Sequence, residues 1–162
     1  MASSTNARGS TEPLLPPKLQ NNPTPESLTP LASGTLKTLS VMRIVLGAST
    51  LVAPRWTCAL FFYPLPATAG VLARLFGIRE VVLGELLYTA EDKTAADGGK
   101  REIKRALWAN MASDAVDLGS VTFALATGTL GRIPSAAFAG GAIFALVLGG
   151  ISMKGLKGKD EA

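Results

Sequence analysis

The chain has no histidine and one cysteine, Cys58. Without histidine, the usual nitrogen ligands of zinc and haem are missing, and so is the usual base of a nucleophilic triad. A lone cysteine cannot close an internal disulfide, and such a residue is more often a small buried hydrophobe than a nucleophile. Neither a metal nor a cofactor is expected. Charge is also scarce: Asp, Glu, Lys and Arg make up 17% of the chain, below the roughly 25% of soluble domains. Finger and helix-turn-helix spacings are missing, as is a basic surface interleaved with aromatics, so nucleic acid is not an expected partner. The opening stretch "MASSTNARGSTEPLLPPKLQNNPTPESLTP" has no apolar core, so it does not read as a secretory leader. Gly does not follow Met1, and "GKDEA" is not a prenylation box. Asn22 is followed by proline, which removes it as a glycosylation acceptor.

Apolar residues are abundant. They make up 48% of 162 residues, and the mean hydropathy is +0.31 despite the polar opening. The length suits one domain. Residues 1–34 are rich in Ser, Thr, Pro and Asn, bury too little apolar surface to offset chain entropy, and are expected to be a disordered tail. Four apolar segments follow, at about 35–53, 70–90, 103–128 and 134–153, and residues 154–162 form a basic C-terminal tail. A spanning helix needs about 20 largely apolar residues. The expected fold is therefore all-α, a four-transmembrane-helix bundle over 35–153 with a disordered N-terminal tail. The segment Pro134–Met153 meets the requirement with no charge at all. A soluble four-helix bundle is the alternative, but this fourth segment offers water no polar face.

Placement of the basic residues supports four spans. With four spans, Arg8, Lys18, Lys37, Lys93, Lys100, Arg101, Lys104, Arg105, Lys154, Lys157 and Lys159 share one side. The other side's loops hold only Arg55 and Arg132. Cytoplasmic loops carry the excess of Lys and Arg, so an integral membrane protein with both termini cytosolic is expected, with an endomembrane such as the ER as the default. In the first non-cytosolic loop, residues 55–69, Trp56, Phe61, Phe62 and Tyr63 suit an interfacial aromatic belt. A lid over a cavity is the second reading of that loop.

The spans carry charge where lipid would penalise it. Arg43, Arg79 with Glu80, and Asp114 with Asp117 lie near the middle of three different segments. Each would cost about 2.5–3.5 kcal/mol if it faced lipid, and five such costs rival a whole folding free energy of roughly 5–15 kcal/mol. They must face inward and find partners. Pairing along a helix needs a spacing of three or four, and no opposite charges in the second segment have it, so the partners are expected on other helices. Asp114 and Asp117 share a face with Asn110, and Arg43 and Arg79 are the natural counter-ions. Arg74 and Glu85 lie nearer the segment ends as secondary candidates. Close packing is expected from Gly77 and Gly84, and from Ala137, Gly141, Ala145 and Gly149, since small residues at such spacings let helix backbones approach in lipid.

Three stretches, "MRIVLGASTLVAP", "LARLFGIREVVLGELL" and "ASDAVDLGS", resemble a small four-helix membrane family of fungi and bacteria of unknown function, similar in outline to DoxX-like proteins. The resemblance spans roughly residues 40–150 and leaves out the tail. It implies the fold and the grouping of Arg43, Arg79, Glu80, Asp114 and Asp117, and no activity. Three functions fit these residues. In the first, buried ion pairs fix helix register in an accessory or scaffold protein whose partner is the bilayer. In the second, a cofactor-independent enzyme or binding protein takes an apolar small molecule, an isoprenoid, polyketide or lipid, in a biosynthetic pathway. Its aspartates would share a proton and act as acid and base, while Arg43 or Arg79 holds an oxygen. In the third, the acids form the relay of a small proton-coupled transporter, which with four spans would need to be a homodimer.

Overall fold

The computed structural model describes residues 29–92, 95 and 97–156, and these are helical apart from their connections. Helix α1 runs Pro30–Val52, α2 Pro54–Leu60, α3 Gly70–Thr89, α4 Lys100–Ala126 and α5 Arg132–Leu156. A short 3-10 turn, Ala67–Ala69, leads into α3. The expected disordered tail falls largely on residues 1–28, which lie outside the described residues, as do 157–162.

Helix α1 corrects the expected start at residue 35. Thr29 is its N-cap, its hydroxyl accepting from the Ala32 amide at 3.3 Å, and Pro30 occupies the first turn. Threonine followed by proline is a strong helix opening. Residues 30–34 read as tail because they contain Pro30, Ser33 and Gly34. Ala32 is nevertheless buried, and a Cβ added to Gly155 of α5 would sit 2.5 Å from the Ala32 Cβ. Pro54 ends α1 as expected, but the chain does not continue as a plain loop. It forms the seven residues of α2.

Helix α1 is the central element. It lies along α3 on one side and α5 on another, α4 lies along α5, and α3 and α4 meet only lightly. The apolar core is concentrated at the end where α1 and α4 begin and α3 and α5 finish: Leu36, Leu39, Leu87, Ile103, Leu107 and Leu156. The opposite end holds α2, and there the buried residues are mainly small or hydroxylated, such as Gly77, Thr50, Thr57 and Ser135. Phe61 stacks on Phe138 of α5 with centroids 4.9 Å apart and planes 3° from parallel, and Tyr63 meets the same ring edge-on at 6.1 Å. The 61–63 part of the aromatic stretch is thereby fastened to α5.

Backbones come closest where α1 crosses α3. A Cβ on Gly47 would lie 2.6 Å from the Gly77 carbonyl oxygen, and one on Gly84 would lie 2.9 Å from the Ser40 carbonyl oxygen. Only glycine permits this approach, and the Ser40 hydroxyl donates across it to the Gly84 carbonyl at 2.9 Å. The ladder on α5 is uneven. Ala145 and Gly149 are buried, with Gly149 against Met111 of α4, Ala137 is half-buried, and Gly141 is exposed with only the Phe61 ring within reach of an added Cβ. The four-residue spacing is therefore a tight contact over its second half only. Two helices, α1 and α5, are long and apolar enough to cross a membrane by length and composition, with mean hydropathies of 1.3 and 1.9. Helices α3 and α4 fall short of that test, and α3 and α4 are the helices that carry Arg74, Arg79, Glu80, Glu85, Asp114 and Asp117.

Candidate functional site

Just beyond the apolar core, five charged residues from three helices form one connected network. Arg43 of α1 stands in the middle. Its Nη1 donates to Glu80 Oε2 at 2.5 Å, and its Nη2 donates to both Asp114 oxygens at 2.5 and 2.6 Å. Arg79 of α3 forms the second node. Its Nη1 and Nη2 fork onto Asp117 Oδ1 and Oδ2 at 2.8 and 2.6 Å, and Nη2 also donates to Glu80 Oε1 at 2.9 Å. Asp114, Arg43, Glu80, Arg79 and Asp117 thus follow one another as a chain of alternating sign, and every oxygen of the three carboxylates accepts from a guanidinium. Such charge-assisted, paired contacts are the strong class of hydrogen bond.

The network is graded from inside to outside. The side chains of Arg43, Glu80 and Asp114 are only 4%, 4% and 6% exposed, whereas Arg79 and Asp117 are 35% and 28% exposed. The outer pair lies at the loose seam between α3 and α4. Phe76, one turn before Arg79, covers its guanidinium at 4.7 Å from Cζ to ring centroid, a cation–π contact that partly replaces solvent. One carboxylate bridges two arginines, so the set carries three acids against two bases.

One expectation needs correcting here. Arg79 and Glu80 are neighbours in sequence, and adjacent helical positions diverge by about 100°, yet these two bond. The divergence holds at Cβ. Both side chains are long, and the Arg79 guanidinium folds back until Nη2 reaches Glu80 Oε1 while Nη1 stays on Asp117. The cross-helix pairs, Arg43 with Asp114 and Arg79 with Asp117, are the ones the stripe on α4 pointed to.

The secondary candidates separate. Asn110 is buried one turn before Asp114 and donates to the Ala106 carbonyl at 2.8 Å and to the Leu83 carbonyl at 3.4 Å, so it ties α4 to α3. Its Oδ1, like Arg43 Nε and Arg79 Nε, is buried without a partner among the described residues. Glu85 is exposed and lies outside the network, and Arg74 is exposed toward the α2 end. Cys58 is half-buried on α2, and burial pushes its thiol up, which opposes reactivity. Among the described residues no group of His, Cys, Asp and Glu could hold a metal ion.

Two hollows on the described surface have linings that include none of the five charges. One of about 510 Å³ lies at the α2 end between Ala53–Trp56 and Ala67–Arg74. The other, about 400 Å³, lies at the core end against Leu36, Lys37, Leu87, Tyr88, Glu91 and Ile103. No family model, curated protein or solved structure matches the chain.

Proposed function

We propose that this chain is a four-span membrane protein of accessory or scaffold type, DoxX-like in outline, whose mid-helix charges clamp α1, α3 and α4 together. The observation that carries the clamp is the pairing itself: every carboxylate oxygen in the network is held by an arginine, which leaves no free acid or base to act on a ligand. The membrane setting is supported by α5. A core helix of a soluble protein is mostly buried, but only 17% of the apolar window of α5 is covered. Ile133, Ile143, Phe144 and Val147 stand between 50% and 67% exposed on it. Exposed apolar surface on this scale calls for a lipid or protein cover.

Removing one partner of a buried pair is costly, whereas replacing the whole set by apolar groups of similar size can be neutral. The test therefore compares Arg43→Met with Arg43→Met/Arg79→Met/Glu80→Leu/Asp114→Leu/Asp117→Leu in detergent. A clamp predicts loss of folded protein in the first and recovery in the second, read by monodispersity and thermal melting. Failure of the fivefold variant to recover, beside a well-folded Asp114→Asn/Asp117→Asn, would count against it.

A second reading is favoured by the charge count. Three acids against two arginines leave one negative charge over, and the Arg79–Asp117 end is accessible from the α3–α4 seam. An apolar small molecule or a transported proton would act there. Mass spectrometry of compounds that co-purify with wild type and with Asp114→Asn/Asp117→Asn separates the readings. A discrete apolar compound lost from the folded variant supports the second, and bulk lipid alone in both removes it.

A further inference from the structure

The hollow at the α2 end has a chemistry that the network lacks. Arg55 and Arg74 line it together with Pro54, Trp56, Gly70 and Val71. Both arginines are exposed, and neither forms a hydrogen bond or ion pair among the described residues. The sequence explains why. From Ile44 to Arg79, and again from Leu118 to Leu156, there is no Asp or Glu. Among the described residues that end of the molecule holds Arg55, Arg74 and Arg132 and no carboxylate to meet them.

The remaining walls select further. Trp56 and Val71 are 62% and 68% exposed and offer an apolar flank. Gly70 and Val71 open α3 and line the hollow beside the two arginines. About 510 Å³ lies within the 300–1,000 Å³ of ordinary small-molecule sites.

We propose that this hollow binds a phosphate group joined to an apolar body, with Arg55 and Arg74 closing on the phosphate oxygens and Trp56 and Val71 flanking the body. Arginine suits this because its planar fork matches phosphate geometry. The phosphate comes either from a lipid headgroup, since the four-span arrangement puts this end at headgroup depth, or from a soluble phosphorylated compound. The clamp reading is not required, because no network residue takes part.

The test uses the full chain in dodecyl maltoside. Dioleoyl phosphatidic acid or dioleoyl phosphatidylcholine is titrated in, and retained lipid is counted by native mass spectrometry. A second arm adds inorganic phosphate and follows thermal melting. Arg55→Gln/Arg74→Gln should hold phosphatidic acid at least about tenfold more weakly than wild type, the loss of one charge-assisted contact or more. Arg101→Gln/Lys104→Gln, at the other end, should leave retention unchanged. The charge-keeping Arg55→Lys/Arg74→Lys should retain part of the binding, which gives a reading independent of the Gln pair's yield. Protection by inorganic phosphate that disappears in the Gln pair assigns the site to soluble phosphates, and binding of phosphatidic acid alone assigns it to headgroups. Equal retention by wild type and the Gln pair overturns the proposal. So does an equal loss in the Arg101/Lys104 control, which would make the attraction general, and so does a wild type that prefers neither phosphatidic acid nor phosphate.

Discussion

Arg43 and Arg74 differ in everything except side-chain chemistry. Arg43 is sealed between three helices, with both terminal nitrogens on carboxylates. Arg74 stands at the rim of a hollow, with no acid among the described residues at that end of the molecule. In each case the surroundings decide what the charge does. Where acids are supplied at the same depth, arginine cross-links the helices. Where they are withheld, the positive charge stays open to something outside the protein. The comparison breaks first at its buried half. Arg43→Met leaves Glu80 and Asp114 uncompensated and should destabilise by about 3–5 kcal/mol, enough to lose most folded protein in a marginally stable fold. Arg74→Gln should leave yield and melting unchanged. Parallel purification of the two variants measures the contrast, and equal yields would remove it.

Next in size is the glycine crossing that brings Arg43 to Glu80. Gly47→Ala pushes a methyl group against backbone atoms of α3, the Gly77 carbonyl and the Val81 amide nitrogen. Overpacking of this kind costs about 1–3 kcal/mol, and the helices can relieve it only by moving apart, which lengthens the Arg43–Glu80 contact. Gly141→Ala on α5 meets only the far Phe61 ring at 3.9 Å and should be neutral. Melting curves of the two variants test whether close approach is confined to the α1–α3 crossing.

Within the network, the gradient of exposure sets a smaller effect. Arg79 and Asp117 are about one-third exposed, so screening should reduce what they contribute. A double-mutant cycle with Arg79→Met and Asp117→Asn should give a coupling of about 1 kcal/mol. The cycle of Arg43→Met with Asp114→Asn should give more. Coupling of equal size at both pairs would mean that the α3–α4 seam is closed in the bilayer by something the isolated chain lacks.

These contrasts also mark what was legible in the sequence. Asp114 and Asp117 could be matched to arginines because a charge deep in an apolar segment has few ways to be satisfied, and each arginine lies at the right depth on another helix. The Arg79–Glu80 bond was not legible, because helical spacing describes where side chains leave the backbone, not where long ones end. Spacing does not mark Gly47 and Gly155 as tight contacts and does mark Gly141, which is not one, because a small residue becomes a contact only through the one it faces. Helix α2 is too short for periodicity to reveal. The hollow between Arg55 and Arg74 is made by the way residues 53–74 fold back on themselves, which residue spacing alone does not give.

The smallest effect concerns Cys58, the chain's single thiol, on α2 beside the arginine-lined end. Burial pushes its thiol up, so less of it is thiolate at neutral pH than in a free cysteine. The thiolate is the nucleophile, so labelling should be slow near pH 7 and should accelerate as pH rises through and beyond the ordinary thiol range. The same residue reports sidedness. In the four-span arrangement, α2 lies opposite the face rich in lysine and arginine. In sealed vesicles with that basic face inward, a membrane-impermeant maleimide should label Cys58 without detergent, at a rate that increases with pH. Labelling that needs detergent at every pH would place α2 on the basic side. That would undo both the four-span topology and the headgroup form of the phosphate site, while leaving the Arg43 pairings as they are.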